Sequence, residues 1–195
     1  MTVVETDRIE MADISSEQAL DDMFEALEPV PEGLKVEIVE GTVYMSPQRD
    51  THWEIIRRIV RALEDEFGMG VKALSDVRID FPGRLNGFAP DVALLSTDAT
   101  KDDSAHWRHE DVEFVAEVIS KGTAANDYGP KKAAYAAAEV PAYLIVDPYV
   151  RRSLLYTQPK DGDYATETKI PFGDEIDLTG TVVGLVLDTS EFPRD

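Results

Sequence analysis

A glutamate stands alone in the apolar stretch Phe114-Val115-Ala116-Glu117-Val118-Ile119, which reads as a buried strand. Taking an unpaired carboxylate out of water is costly, so a chain keeps one there only with a partner charge or a metal. Upstream, Phe88-Ala89-Pro90-Asp91-Val92-Ala93-Leu94-Leu95 sets a second acid at the entry of an apolar strand. Downstream, Asn126-Asp127-Tyr128-Gly129-Pro130-Lys131-Lys132 opens a helix. Two strand acids and a lysine are the minimal parts of a metal-dependent phosphodiesterase site. If the strands are neighbours, carboxylates about 4 Å apart repel by roughly 4 kcal/mol at an effective dielectric of about 20, and a divalent cation removes that conflict. Oxygen donors with no cysteine and three histidines favour magnesium or manganese over zinc.

Each residue also has a plainer use. Glu117 could face solvent or pair with a buried base, and Asp91 could simply end a loop. Lys131 could be an exposed helix lysine like its neighbour Lys132. Asp127 and Lys131 are four apart and can pair on one helix face, with Asp127 also capping the helix. Pro130 suits a first helical turn, where N–H groups have no intrahelical partner, and this puts Lys131 near the helix start. There its removal costs the core little, while its ammonium can orient a water or stabilise a pentavalent phosphate. Tyr135 and Tyr143 read as core residues with satisfied hydroxyls.

The elements that must position these groups follow from hydrophobic periodicity. A helix is expected from Ser15 to about Leu27, then a hairpin over Leu34 to Met45 turning at Glu40-Gly41. The clearest helix is Thr51 to Phe67, with Trp53, Ile56, Ile59, Val60 and Leu63 inward and Gly68 closing it. Strands are expected at Lys72 to Phe81, Phe88 to Leu95, Phe114 to Ile119, Ala142 to Asp147 and Val150 to Tyr156, with a helix over Asp127 to Ala138. The tail, Thr166 to Leu187, reads as short antiparallel strands. This order predicts an α/β (α+β) domain, a mixed sheet flanked by helices, over residues 15–195, after a disordered segment 1–14.

At 195 residues the chain suits one domain, and its 43% hydrophobic and 30% charged content is that of an ordinary globular protein. No cysteine means no disulfide and no thiolate metal site, which fits a cytoplasmic protein. No apolar run approaches a membrane span, and the start of the chain resembles no signal peptide, so no membrane partner is expected. The net charge of -20 opposes tight binding to long duplex DNA, which gains affinity through Lys and Arg. Either a face concentrates the 19 basic residues, Arg57, Arg58 and Arg61 among them, or the substrate is something else. Phosphate loops, zinc-protease motifs and nucleophile elbows do not occur. His106 and His109, in the polar loop Ser96 to Glu110, read as solvated.

One resemblance gathers these residues. Val36-Glu37-Ile38-Val39-Glu40-Gly41, His52, Pro90-Asp91, Glu117-Val118-Ile119-Ser120, Thr123, Asp127-Tyr128-Gly129-Pro130-Lys131, Tyr135 and Val140-Pro141-Ala142-Tyr143-Leu144-Ile145-Val146-Asp147 occur in that order. Together they resemble the Uma family of restriction-type endonucleases in the PD-(D/E)XK nuclease-like superfamily. The resemblance spans Leu34 to Tyr156. It implies a restriction-endonuclease-like fold and hydrolysis of DNA phosphodiesters with Mg2+ or Mn2+, Asp91 and Glu117 being the metal ligands. Position 119, where the superfamily pattern has its lysine, is Ile119, and the resemblance moves that role to Lys131. It makes Glu37 a further catalytic acid, a ligand or a positioner of water, against the plain alternative of a solvated hairpin acid. His52 and Asp127 are secondary candidates, His52 with helix capping or packing as its alternative. A homodimer stays open. The rival expectation is a non-catalytic binding or assembly module on the same fold.

Overall fold

The computed structural model describes residues 16–47 and 49–193, so the expected disordered segment 1–14 lies outside the described residues. Helix α1 (Ser16–Glu25) leads to the expected hairpin of β1 (Leu34–Val39) and β2 (Thr42–Pro47). The hairpin closes with Val39 opposite Thr42. Glu40 (φ 50°) and Gly41 (φ 77°) adopt the left-handed conformation that a two-residue hairpin turn requires.

Helix α2 (Asp50–Phe67) buries His52, Ile55, Ile56, Ile59 and Leu63, a stripe spaced by three and four residues. Gly68, at φ 86°, ends it by donating to the Glu64 carbonyl at 2.8 Å. Trp53 departs from expectation. Position 53 lies about 100° around the helix from position 52 and misses the stripe, so the indole is 51% exposed.

The two strands expected at Lys72 to Phe81 and Phe88 to Leu95 each divide. They become β3 (Ala73–Leu74), β4 (Ile79–Phe81), β5 (Asn86–Phe88) and β6 (Val92–Leu95). The chain crosses between sheets at both breaks, through Asp76 (φ 56°) and through Pro90, which cannot donate to a strand ladder. One sheet has the order β2-β1-β5-β4. The other has six strands and adds β7 (Val112–Val118), β8 (Ala142–Asp147), β9 (Arg152–Lys160) and β10 (Asp163–Pro171), in the order β10-β9-β8-β7-β6-β3. Only β7 and β8 pair in parallel there. They are joined across a helical crossover made of α3 (Ala124–Asn126), a π-helical turn (Asp127–Lys131) and α4 (Lys132–Ala137). The tail strands differ from expectation in length. β10 is nine residues long and extends the main sheet, while β11 (Glu175–Asp177) and β12 (Val186–Asp188) form a small antiparallel pair. The fold is the expected mixed α+β arrangement.

Two cores sandwich the six-stranded sheet. On one face Ile55, Ile59 and Leu63 of α2 pack with Phe114, Ala116 and Val118 of β7. On the other, Val115 and Ile119 join Phe88, Tyr135 and Tyr143 beneath α4 and the four-stranded sheet. Side chains alternate along a strand, so Glu117 shares the face of Val115 and Ile119 and points at α4. Replacing Ile59 by Ala should therefore cost about 2–5 kcal/mol in urea unfolding. Trp53→Ala should stay within about 0.5 kcal/mol of wild type, the reverse of what an inward indole would give.

Candidate functional site

Strand pairing decides whether the two acids meet. β6 and β7 are antiparallel neighbours with Val92 opposite Ala116, so Asp91 lies beside Glu117. The Asp91 amide donates to Glu117 Oε2 at 3.3 Å, and the Val118 amide donates to Asp91 Oδ2 at 2.7 Å. Both carboxylates are buried. They line a narrow cleft with Glu37, His52, Trp53 and Lys131.

Lysines, as well as any metal, can relieve the expected repulsion. Lys131 is 1% exposed. Its ammonium reaches Glu117 Oε1 at 2.6 Å, Glu37 Oε1 at 3.0 Å and Asp127 Oδ1 at 3.1 Å. The expectation that losing this lysine costs the core little therefore fails, because the side chain is itself interior. The helix begins at Ala124, earlier than expected, so Pro130 sits within a continuing helix. Pro130 has no N–H, and the π turn spaces the ladder around it, an irregularity often found at functional sites. Asp127 consequently lies inside the helical run. It does not cap the helix, but it does hold Lys131 as expected.

The second lysine escaped sequence reading. Lys35 lies two residues before Glu37 on β1 and so shares its face. Its Nζ is 2.6 Å from Asp91 Oδ1 and 3.9 Å from carboxylate oxygens of Glu37, Asp76 and Glu117. The signal available was the alternation of the hairpin, which puts Lys35 wherever Glu37 points. Asp76, in the turn between β3 and β4, carried no signal at all. Glu37 is no solvated hairpin acid: it is buried, and Oε1 also accepts the Ala89 amide at 3.0 Å.

Burial and pairing set the ionisation. Burial pushes the Glu117 carboxyl up to about 8, with Asp91 and Glu37 adding repulsion against the pull of the two lysines. At Asp91 burial acts upward too, but the Lys35 ammonium and its hydrogen bond win and hold that carboxyl below its usual range. Burial likewise opposes Glu37, where Lys131 and Lys35 prevail and keep it low. Asp127 stays raised by burial despite Lys131. Burial would lower Lys131, yet Glu117 and Glu37 hold its ammonium well above the usual lysine value. The most enclosed acid, Glu117, also accepts the Tyr135 hydroxyl at 2.6 Å, while the Tyr143 hydroxyl donates to the Asp127 carbonyl at 3.0 Å. Both tyrosines are thus core residues with satisfied hydroxyls. Ser120 and Thr123 join hydroxyls at 2.7 Å in the turn that leads from β7 to the helix. His52 is buried at the start of α2 and lines the cleft.

The other candidates fall elsewhere. Arg57 and Arg58 pair with Glu54, and Arg61 pairs with Asp65, so the arginines of α2 are matched by acids of the same helix. His106 and His109 are half-buried rather than solvated, with His109 Nδ1 3.1 Å from the Asp80 carbonyl. Asp21, Asp80 and His106 bring ligand atoms within 4.8 Å of one another. Arg78, however, already binds Asp21 at 2.6 Å and both Asp80 oxygens at 2.7 Å, so a cation there would have to displace a guanidinium.

Fold and comparison agree on the class, a nuclease-like α+β protein. The structure is similar to that of a putative nuclease belonging to DUF820 from Anabaena variabilis, with a TM-score of 0.68 and 14% identity. The likeness covers 89% of this chain and 96% of that one. No curated protein matches the sequence. The family model described as "Uma2: Putative restriction endonuclease" matches residues 21–190, and the chain belongs to that family. No described helix is long and apolar enough to cross a membrane.

Lys131→Ala should destabilise the fold by about 3–5 kcal/mol, since it strands buried carboxylates. Lys132 bridges Asp163 at 2.8 Å on the surface, and Lys132→Ala should cost no more than about 1 kcal/mol. Paired urea titrations of the two variants check this.

Proposed function

We propose that this protein is a magnesium- or manganese-dependent endonuclease hydrolysing phosphodiester bonds in DNA, with Asp91 and Glu117 as metal ligands. One observation carries the reading: a cation already stands where the carboxylates converge. The Lys35 ammonium contacts Asp91 Oδ1 and faces Glu117 and Glu37. The surrounding donors are hard carboxylate oxygens, and this set fits magnesium or manganese. The Val118 amide holds Asp91 Oδ2, which orients Oδ1 toward a cation.

When bound, the ion supplies neutralisation of phosphoryl oxygen charge and a more acidic water. The chain does the rest. Glu37, held by Ala89 and Lys131, is fixed at the cleft wall to orient a water by hydrogen bonding. Lys131 fixes Glu37 and Glu117 relative to each other and supplies positive charge beside a phosphate bound in the cleft. Tyr135 fixes the rotamer of Glu117 through its hydroxyl. His52 and Asp127 serve position rather than proton transfer, His52 as cleft wall and Asp127 as a tether for Lys131.

A second reading has its own observation. Glu37, Asp91, Glu117 and Asp127 each have a lysine within 3.1 Å, so the network stands without a metal. A non-catalytic binding module of the same fold would need nothing more. The net charge of -20, with the arginines of α2 neutralised, also suits it.

Millimolar Mn2+ should raise the thermal midpoint of wild type, because a ligand of the folded state stabilises it by mass action. Asp91→Asn should abolish the rise. The same wild-type preparation should cut DNA in a panel of duplex, single-stranded and RNA substrates, and Asp91→Asn should lose about 10²-fold or more of that activity. No metal shift and no cleavage of any substrate would leave the binding module as the better reading.

A further inference from the structure

We propose that Lys35 is an exchangeable internal cation: its ammonium holds Asp91 in the metal-free protein, and a divalent ion takes Asp91 from it while the ammonium moves to Asp76. The inference rests on the metal-site reading above and goes beyond it, by saying what the ion must compete with.

The two lysines of the cleft are held very differently. Lys131 is locked by three carboxylates at 2.6–3.1 Å, and its side chain is 2% exposed. Lys35 has one short bond, 2.6 Å to Asp91 Oδ1, and its other acids stand off at 3.9 Å. Its side chain is 11% exposed, so it lies nearer the mouth of the cleft. One bond is all that exchange must break.

That bond is made at the oxygen a metal would use. Asp91 Oδ2 is occupied by the Val118 amide, and Oδ1 is the oxygen that Lys35 holds. Metal and ammonium therefore contend for a single atom. The displaced ammonium also has somewhere to go. Asp76 Oδ1 is 3.9 Å from Nζ, and the flexible four-carbon stem of a lysine allows that short shift. Charge permits both cations to stay. Glu37, Asp76, Asp91, Glu117 and Asp127 present five carboxyls to two ammonium groups, so a divalent ion can enter without driving Lys35 into solvent. In the metal-free state Lys35 would keep the carboxylates in their binding geometry and weaken metal affinity in return.

The test is Mn2+ binding measured by electron paramagnetic resonance of free ion, for wild type and Lys35→Met. The variant should bind at least about tenfold tighter, since it removes the competitor and a nearby positive charge. Should Lys35→Met fail to fold, Lys35→Met with Asp76→Asn relieves the repulsion and is compared with Asp76→Asn alone. Loss of charge alone would also tighten binding, so a crystal of wild type soaked in Mn2+ supplies the second arm. In it, Lys35 Nζ should have left Asp91 and lie within hydrogen-bond distance of Asp76. Equal or weaker binding by the variant overturns the exchange, as does an ion on Asp91 with Lys35 still bonded to it. Either of these leaves the metal site itself standing. Binding by neither protein overturns both the exchange and the metal-site reading. Binding by the variant alone supports the exchange, with the equilibrium on the side of lysine.

Discussion

The site depends on one buried ammonium. Lys131 joins Glu37 from β1, Glu117 from β7 and Asp127 from its own helix, so a single charge ties the small sheet, the large sheet and the crossover together. Such a group is a poor source of net stability, because desolvating the ions offsets most of their attraction. What it gives is position. Backbone donors also hold carboxylates of the site: Ala89 to Glu37, Asp91 to Glu117 and Val118 to Asp91. Two of these three amides lie in or beside the Ala89–Asp91 crossing between the sheets. The fold thus spends its irregular backbone where the carboxylates need donors.

Much of this was legible because burial and charge conflict openly in a sequence. Glu117 in an apolar run and Asp91 at the head of another could be picked out without a structure. The hairpin turn at Glu40-Gly41 and the strand Ala142–Asp147 likewise follow from local chemistry. Lys35 was opaque for a physical reason. A lysine near the start of a hairpin strand looks solvated, and only the approach of Asp91, 56 residues away, makes it interior. Asp76 was hidden in the same way, by a strand pattern that ran on while the chain changed sheets. Pro130 misled the eye about the helix start, since a π turn can carry a proline past the first turn. Trp53 shows the limit of periodicity alone, one position being enough to move an indole from core to cleft rim.

The acidity of the chain becomes a local question at the cleft. Five carboxyls and two ammonium groups leave the interior short of positive charge, and at Glu117, raised to about 8 first by burial, the neighbouring Asp91 and Glu37 add to the rise. Ammonium groups meet the deficit only in part, each bringing one charge on a tether. A small divalent ion brings two and accepts several oxygens at once. The arginines of α2, paired within their own helix, do nothing for this deficit.

Position 119 on the strand carries isoleucine, and the ammonium that reaches Glu117 comes from the helix. Residue 119 shares the face of Glu117, but its side chain is buried in the core formed with Tyr135, Tyr143 and Ile145. An ammonium at that point would have apolar neighbours and lose its hydration without repayment. The crossover passes over the same face, and a side chain from Lys131 descends to Glu117 between Phe88, at 5.7 Å from its ring centroid, and Asp127. The charge reaches the carboxylates from above rather than along the strand. The π turn carries the helix past Pro130, which has no N–H, and Asp127 and Lys131, four residues apart, face inward together. Position in space, not position in the chain, is what the carboxylates select.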